Sequence, residues 1–239
     1  MKAVLLAAGF GTRLRPITEK VPKCLVPIAG RPLLAYWLDA LFEHGIDEVL
    51  VNLHHHANQV EEFIDRYRPN KNIRSVYEKE LLGTGGTLVG NRSYFDDSAF
   101  MVVHADNLCF ANLSEFKNAH QKRPRPTEIT MMTFIASHPK DSGIVEVNSE
   151  GIVSNLHEKV REPPGLLANG AVYVFEPTVL SFMERQGKLP LDISTEVLPA
   201  FLGKIFCWFT ESVHIDIGTP ERLRYAERVV MSLDRNSCL

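Results

Sequence analysis

Gly9 and Gly11 follow directly on the apolar run Val4-Leu5-Leu6-Ala7, and Arg13 stands two residues beyond the second glycine. Glycines behind a strand let the backbone turn tightly and bring its N–H groups close to an anion such as a polyphosphate. The cations that follow fit the same ligand. Arg13 offers a fork of donors to phosphate oxygens, and Lys23, in Pro22-Lys23 about ten residues on, a compact point charge. A dinucleotide fingerprint would need a third glycine where Leu14 stands, and a Walker loop would need Gly-Lys-Ser/Thr, which is absent. A Gly-x-Gly turn alone is equally consistent with an ordinary tight turn; the two cations single out phosphate.

Two aspartates form the second candidate constellation. The apolar run Phe100-Met101-Val102-Val103-His104 ends in Ala105-Asp106, and Val213-His214-Ile215 ends in Asp216-Ile217-Gly218-Thr219-Pro220. In an open α/β sheet, ligands bind beyond the carboxyl ends of the strands, so both side chains could face one crevice. Two carboxylates that leave a divalent cation partly hydrated are the usual way to hold Mg2+ beside phosphates. Either aspartate alone would serve equally as a loop or helix-capping residue. The run His54-His55-His56 is not expected to bind metal, because adjacent side chains between a strand and a helix diverge. Glu158-Lys159, taken alone, is an exposed charge pair of little energetic weight.

The elements that must position these residues alternate. Strands are expected at 4–7, 48–53, 72–77 and 100–104, with helices at 33–42, 58–67 and 84–89 between them. Such alternation implies a Rossmann-like, mostly parallel sheet with helices on both faces. After about Thr127 come strands at 128–135, 144–147, 152–157 and 171–175 without long helices between them, an antiparallel or mixed extension. Helices return at 177–185, 194–202 and 220–233. No internal repeat, low-complexity tract or linker interrupts the chain.

The 239 residues are 45% hydrophobic and 23% charged, with a formal net charge of -3. That is ordinary globular composition, and it lacks the concentrated basic surface that nucleic acid requires. Cys24, Cys109, Cys207 and Cys238 are scattered without a CxxC pair, which fits reduced thiols and a cytoplasmic protein. No run approaches the length of a membrane span, and the apolar start Val4–Ala8 is too short for a signal peptide. Neither nucleic acid nor membrane is an expected partner, and the sequence assigns no oligomeric state.

The ordered stretches 6–18, 21–23 and 28–33 closely resemble the sugar-phosphate nucleotidyltransferase (nucleotide-sugar pyrophosphorylase) family. The resemblance runs from Met1 to about Leu233. It implies one nucleotide-diphospho-sugar transferase domain, with a nucleotide-binding half over about 1–126 and a sugar-phosphate half over about 127–239. No β-helix domain of hexapeptide repeats is expected. It also implies that Ala8, Gly9, Gly11 and Thr12 line the nucleotide, that Arg13 wraps the triphosphate, and that Lys23 meets the phosphates at the reacting centre. Asp106 and Asp216 match the family's two metal aspartates, for Mg2+, although His104-Ala105 replaces the small pair usual before the first.

The segment Leu82-Gly83-Thr84-Gly85-Gly86 is similar to the one that lies against the base, its glycines allowing backbone to approach a flat ring. Five residues before Gly83 stands Glu78, where uridylyl and thymidylyl relatives usually carry glutamine. An ionised carboxylate accepts, and guanine presents two donors on one edge, so Glu78 favours GTP. Ser194-Thr195-Glu196-Val197-Leu198-Pro199 is similar to the mannose-1-phosphate guanylyltransferase-like branch. On the sugar side, Gly143 matches a glycine facing the sugar, Glu158 an acceptor for its hydroxyls, Lys159 a holder of its phosphate, and Asn169 the closing segment. Val160 replaces the proline usual after Glu-Lys. Expected substrates are small molecules: GTP with the 1-phosphate of mannose or a related hexose or heptose. UTP or dTTP with a hexose 1-phosphate is the alternative, and a catalytically silent nucleotide-sugar-binding homologue is the alternative of another class.

Overall fold

A computed structural model describes residues 1–67 and 71–236, with side chains of the last helix described as far as Leu233. Cys238 therefore lies outside the described residues, while Cys24, Cys109 and Cys207 are free thiols. In chain order the strands are β1 (Lys2–Leu6), β2 (Pro27–Ile28), β3 (Arg31–Pro32), β4 (Glu48–Leu53), β5 (Asn72–Tyr77), β6 (Phe100–His104), β7 (Asn107–Cys109), β8 (Ile129–Ile135), β9 (Gly143–Val147), β10 (Val153–Glu158), β11 (Leu167–Phe175), β12 (Ile205–Phe209) and β13 (His214–Asp216). The helices are α1 (Leu33–Glu43), α2 (Ala57–Tyr67), α3 (Thr84–Gly90), α4 (Leu113–Lys122), α5 (Pro177–Arg185), α6 (Leu198–Ala200) and α7 (Pro220–Asn236). The architecture is the mixed α/β class expected. No helix among the described residues is long and apolar enough to cross a membrane.

The chain builds two compact units from interleaved stretches. One takes Leu5–Glu80, His104–Phe110 and Val213 onward; the other takes Met1–Val4, Leu81–Val103 and Ala111–Ser212. In the first, which we call the aspartate unit, β4 and β5 pair in parallel from Glu48↔Asn72 to Leu53↔Tyr77. Parallel neighbours need a crossover, and α2 supplies it. The core beneath the site gathers Leu14, Val26, Ile28, Leu33, Leu108, Ile217, Leu223, Ala226 and Val230, all buried. Helix α1 buries Trp37, and its indole N–H donates to Asn107 O at 2.6 Å, so the large ring is buried with its polar atom satisfied.

The second, β-rich unit pairs β11 antiparallel with β6, β8 and β9, and β10 antiparallel with β9. This is the mixed extension expected after Thr127, with one addition: β12 joins β8 in parallel. The sequence reading also missed α4, although Asn112 announces it. The Asn112 side chain accepts from Ser114 N and Glu115 N and donates to Glu115 Oε1, the reciprocal contacts of a capped helix start. The helix expected over 194–202 is shorter and irregular. A π-helical turn, Ile193–Val197, capped by Asp192, leads into α6.

His120 on α4 is buried against Thr130 Oγ1 (2.8 Å) and Glu176 (3.3 Å), beside the buried Arg123. Burial, then the Arg123 charge, lowers its pKa from 6.5 to about 4. The folded protein therefore takes this proton less readily than the unfolded chain. Stability from this group is complete above pH 6.5 and drains as pH falls toward 4, by about 3 kcal/mol in all. An NMR titration of the His120 ring should show a midpoint well below 6; a midpoint near 6.5 would refute this.

Candidate active site

The two aspartates of the second constellation do meet, by a route other than the one expected. β7 and β13 form a separate antiparallel ribbon with Asp216 opposite Asn107, Ile215 opposite Leu108 and His214 opposite Cys109. Asp106 immediately precedes this ribbon, and its backbone oxygen accepts from Ile217 N at 3.0 Å. Both carboxylates thereby come to one cation. Lys23 Nζ lies 2.6 Å from Asp106 Oδ2 and 3.6 Å from Asp216 Oδ1. Partial loss of hydration pushes the Asp106 carboxyl up, but the charges of Lys23 and His104 and the Lys23 hydrogen bond outweigh it and hold it below the usual 3.8. Lys23 is itself buried, 7% exposed, so its ammonium is held by these carboxylates rather than by water. Its neighbour Cys24 is pushed by burial up to about 12, which keeps the thiol protonated and excludes it as a nucleophile.

A point that draws two carboxylates to one positive charge also suits a divalent cation. Among the described residues no third His, Cys, Asp or Glu joins them. Two carboxylates form the donor set with which Mg2+ keeps water and phosphate ligands.

The glycine loop belongs to the same unit. Gly11 is left-handed (φ 62°), and a Cβ there would lie 2.8 Å from Thr18 Cγ2 and 3.2 Å from Lys23 Cβ. Gly11 thus sets how closely the loop approaches Lys23. Over Gly9, by contrast, an added Cβ would meet nothing within 4 Å. Ala8 is buried, whereas Thr12 and Arg13, in the turn Thr12–Leu14, are exposed. Thr18 was not singled out by sequence, yet its buried hydroxyl donates to Gly11 O at 2.8 Å.

The histidine row holds this loop in place. His55 Nε2 lies 3.1 Å from Thr18 O, His56 Nε2 3.1 Å from Glu19 O, and His54 Nδ1 2.8 Å from Glu78 O. Each ring reaches its own carbonyl, but the His55 and His56 rings lie together, centroids 4.0 Å apart, and do not diverge as expected, because their acceptors belong to consecutive residues. Phe10 meets His54 edge-on at 5.0 Å. Glu78 follows the exposed edge strand β5 but is itself 5% exposed. Its Oε1 accepts from Asn52 Nδ2 at 3.0 Å, while Asn52 Oδ1 accepts from Ala7 N at 2.7 Å. The backbone donor fixes which way the Asn52 amide faces, so Glu78 Oε1 must accept.

Gly83 and Thr84 lie in the β-rich unit, where the fold itself sets a steric demand for glycine. Their partner is the chain itself. A Cβ on Gly83 would stand 2.4 Å from Leu191 O, and Gly85 N and Gly86 N donate to that oxygen at 2.9 and 3.2 Å. Thr84 Oγ1 donates to Asp192 Oδ2 at 3.1 Å and accepts from Ile193 N at 2.7 Å. The same unit brings Gly143, Glu158 and Asn169 together. Gly143 faces Glu158 across the β9–β10 hairpin, and a Cβ on Gly143 would lie 2.6 Å from Glu158 Oε2 and 3.8 Å from Asn169 Cβ. Asn169 Nδ2 donates to the buried Tyr173 Oη at 2.8 Å, and its Oδ1 accepts from Ala171 N at 2.9 Å. Lys159 is left-handed (φ 50°), with its ammonium 3.2 Å from Glu158 Oε1 and largely in solvent. Strained backbone at a non-glycine residue commonly marks a working position.

A family model described as Nucleotidyl transferase matches residues 2–231. The chain belongs to the nucleotidyl transferase family. Among similar sequences, a mannose-1-phosphate guanyltransferase of Schizosaccharomyces pombe is 31% identical over 232 residues, covering 92% of this chain and 62% of the relative. A mannose-1-phosphate guanylyltransferase catalytic subunit beta of Dictyostelium discoideum is 30% identical with the same coverage. The chain thus spans 62% of the length of these relatives. The solved structure of HddC from Yersinia pseudotuberculosis superposes with a TM-score of 0.81 at 24% identity, covering 96% of this chain and 99% of its own, a likeness of fold.

Within this site, sequence reasoning overlooked Arg222 as well as Thr18 and Asn52. Arg222 Nη1 donates to Asp216 Oδ2 at 2.8 Å. Its only sequence signal is a position three residues after Thr219, whose hydroxyl accepts from Arg222 N at 3.3 Å and caps α7. Gly218 explains the tightness of this corner. A Cβ there would fall 2.8 Å from Asp216 Oδ2 and 3.1 Å from Arg13 Nη2, so the small residue lets the carboxylate and the guanidinium close over it.

Proposed function

We propose that this nucleotidyl transferase joins a nucleoside triphosphate, GTP by preference, to the 1-phosphate of mannose or a related hexose or heptose, in the cytoplasm. An oxygen of the sugar phosphate attacks the α-phosphorus in line; the new P–O bond makes the NDP-sugar as the bond to the β-phosphate oxygen breaks and pyrophosphate leaves. The nucleophile is already an anion and needs no general base. The demand is to hold two anions together against their repulsion.

The observation that carries the reading is the approach of Asp106 and Asp216 to one Lys23 ammonium beside the Gly9–Arg13 loop. Ala8, Gly9, Gly11, Thr12 and Arg13 take the triphosphate, and Lys23 neutralises charge at the reacting phosphates. Glu158 accepts from sugar hydroxyls, Lys159 holds the sugar phosphate, and Gly143 and Asn169 complete that recognition; Gly83 and Thr84 take part in nucleotide binding. Asp106 and Asp216 would hold Mg2+, which when bound supplies charge neutralisation and orientation of phosphate oxygens.

Glu78 supports guanine. Asn52 keeps one of its oxygens an acceptor, and a carboxylate suits the paired donors of guanine. The two relatives described above, named for mannose-1-phosphate and guanylyl transfer, agree. The test is pyrophosphate release across four nucleoside triphosphates crossed with mannose, glucose and heptose 1-phosphates, with Mg2+. GTP with a mannose-type sugar should turn over fastest. Glu78→Gln should lower the GTP-to-UTP ratio by about tenfold or more, the worth of one charge-assisted hydrogen bond. Preference of the wild type for UTP or dTTP overturns the base assignment, and release with no pair overturns the activity.

A further inference from the structure

We infer that Arg222 is a positioning residue for Asp216: it occupies Oδ2 of that carboxylate and presents Oδ1 alone toward Lys23 and Asp106. The inference rests on the reading of Asp106 and Asp216 as the carboxylates that hold the divalent cation. Arg222 Nη1 stands 2.8 Å from Asp216 Oδ2, while the other oxygen, Oδ1, is the one 3.6 Å from Lys23 Nζ. The arginine side chain is 16% exposed and that of Asp216 30%, so neither is a freely solvated surface charge.

Helix electrostatics point the same way. Arg222 sits in the first turn of α7, whose N-terminal dipole disfavours a cation. The bond to Asp216 offsets that cost and gives the placement a purpose. Gly218 adds a steric wall, since the space its Cβ would need is filled by both oxygens of Asp216, at 2.8 and 3.2 Å. With Oδ2 already accepting from a guanidinium, Asp216 offers a cation Oδ1 in preference to Oδ2. Arg222 is also a like charge beside that cation.

Replacing Arg222 by methionine keeps much of the apolar stem but removes both restraints. The like charge is gone and Oδ2 is released for chelation, so a divalent cation should bind more tightly. The same freedom leaves Asp216 unaligned for turnover. Mn2+ alone, followed by the EPR signal of the free ion, should bind Arg222→Met about threefold or more tightly than wild type, the size of one like charge removed in a high-dielectric site. Pyrophosphate release by the same variant should show kcat down about tenfold or more, as for other residues that orient a metal ligand, with KM for the triphosphate within about twofold. Arg222→Lys, which keeps the charge and can still donate to Oδ2, should stay within about threefold of wild type in both measurements.

A loss of stability alone would not tighten Mn2+. Unchanged or weaker Mn2+ binding in Arg222→Met, or a kcat within about twofold of wild type, overturns the inference. A kcat loss that follows the melting temperature down and is not rescued by lysine does so too. Asp216→Ala separates the levels: full turnover there removes the underlying site reading, whereas an inactive Asp216→Ala beside a fully active Arg222→Met removes the positioning role alone.

Discussion

Lys23→Ala and Asp106→Ala should each lower pyrophosphate release by at least about 10²–10³-fold while leaving the protein folded. That is the range found when one preorganised electrostatic contact to a developing charge is removed. The structure sharpens the reason for Lys23. Its ammonium is the positive charge shared by Asp106 and Asp216, at 2.6 and 3.6 Å, and without it two carboxylates face one another. Those side chains are 40% and 30% exposed, so water can solvate them and the fold should survive. Steady-state release and a thermal melt on each variant check both halves of the expectation. Near-normal turnover in either variant would sink the mechanism.

The largest effect on stability is expected at Gly83→Ala. Gly83 has φ +78° and ψ 164°, a region that essentially only glycine occupies. An added Cβ would lie 2.4 Å from Leu191 O and 2.9 Å from Leu191 C and N, and backbone atoms cannot step aside as a side-chain tip can. Backbone strain and overpacking together should cost about 3–5 kcal/mol, a large share of the stability of an ordinary domain. Gly9→Ala is the matched control, since nothing lies within 4 Å of its Cβ, and its cost should stay within about 0.5 kcal/mol. Urea unfolding of the pair gives the answer directly. A Gly83→Ala midpoint equal to that of Gly9→Ala would show that the segment Leu82–Thr87 can leave Leu191 at no cost.

Much of the fold was legible because local signals agreed. The strands Glu48–Leu53, Asn72–Tyr77 and Phe100–His104 and the helix Pro177–Arg185 lie where apolar runs and periodicity put them. Helix α4 was legible too, in Asn112-Leu113-Ser114-Glu115, and was overlooked. The run Val213–Ile215 was legible as a strand ending at Asp216, but β7 and its pairing with β13 were not, since so short a run carries no periodicity, and it is this pairing that brings Asp216 to Asp106.

For the candidate site, the residue types of Gly9, Gly11, Arg13, Lys23, Asp106 and Asp216 were enough to suggest phosphate and metal chemistry, because chemical character belongs to the side chain and its near neighbours. What each of them touches is a property of distant pairs. Lys23 and Asp106 are 83 positions apart, and Thr84 and Ile193 are 109. Spacing gives the histidine row no expected metal role, and only the fold shows its rings tied to Thr18, Glu19 and Glu78. The proposed phosphate chemistry of the Gly9–Arg13 loop and the choice of the two aspartates thus come from sequence. The tertiary structure alone decided that both carboxylates reach one ammonium, that Arg222 engages one oxygen of Asp216, and that Gly83 yields to Leu191. Local sequence encodes conformational preference and charge, whereas partners at long separation are selected only when the whole chain packs.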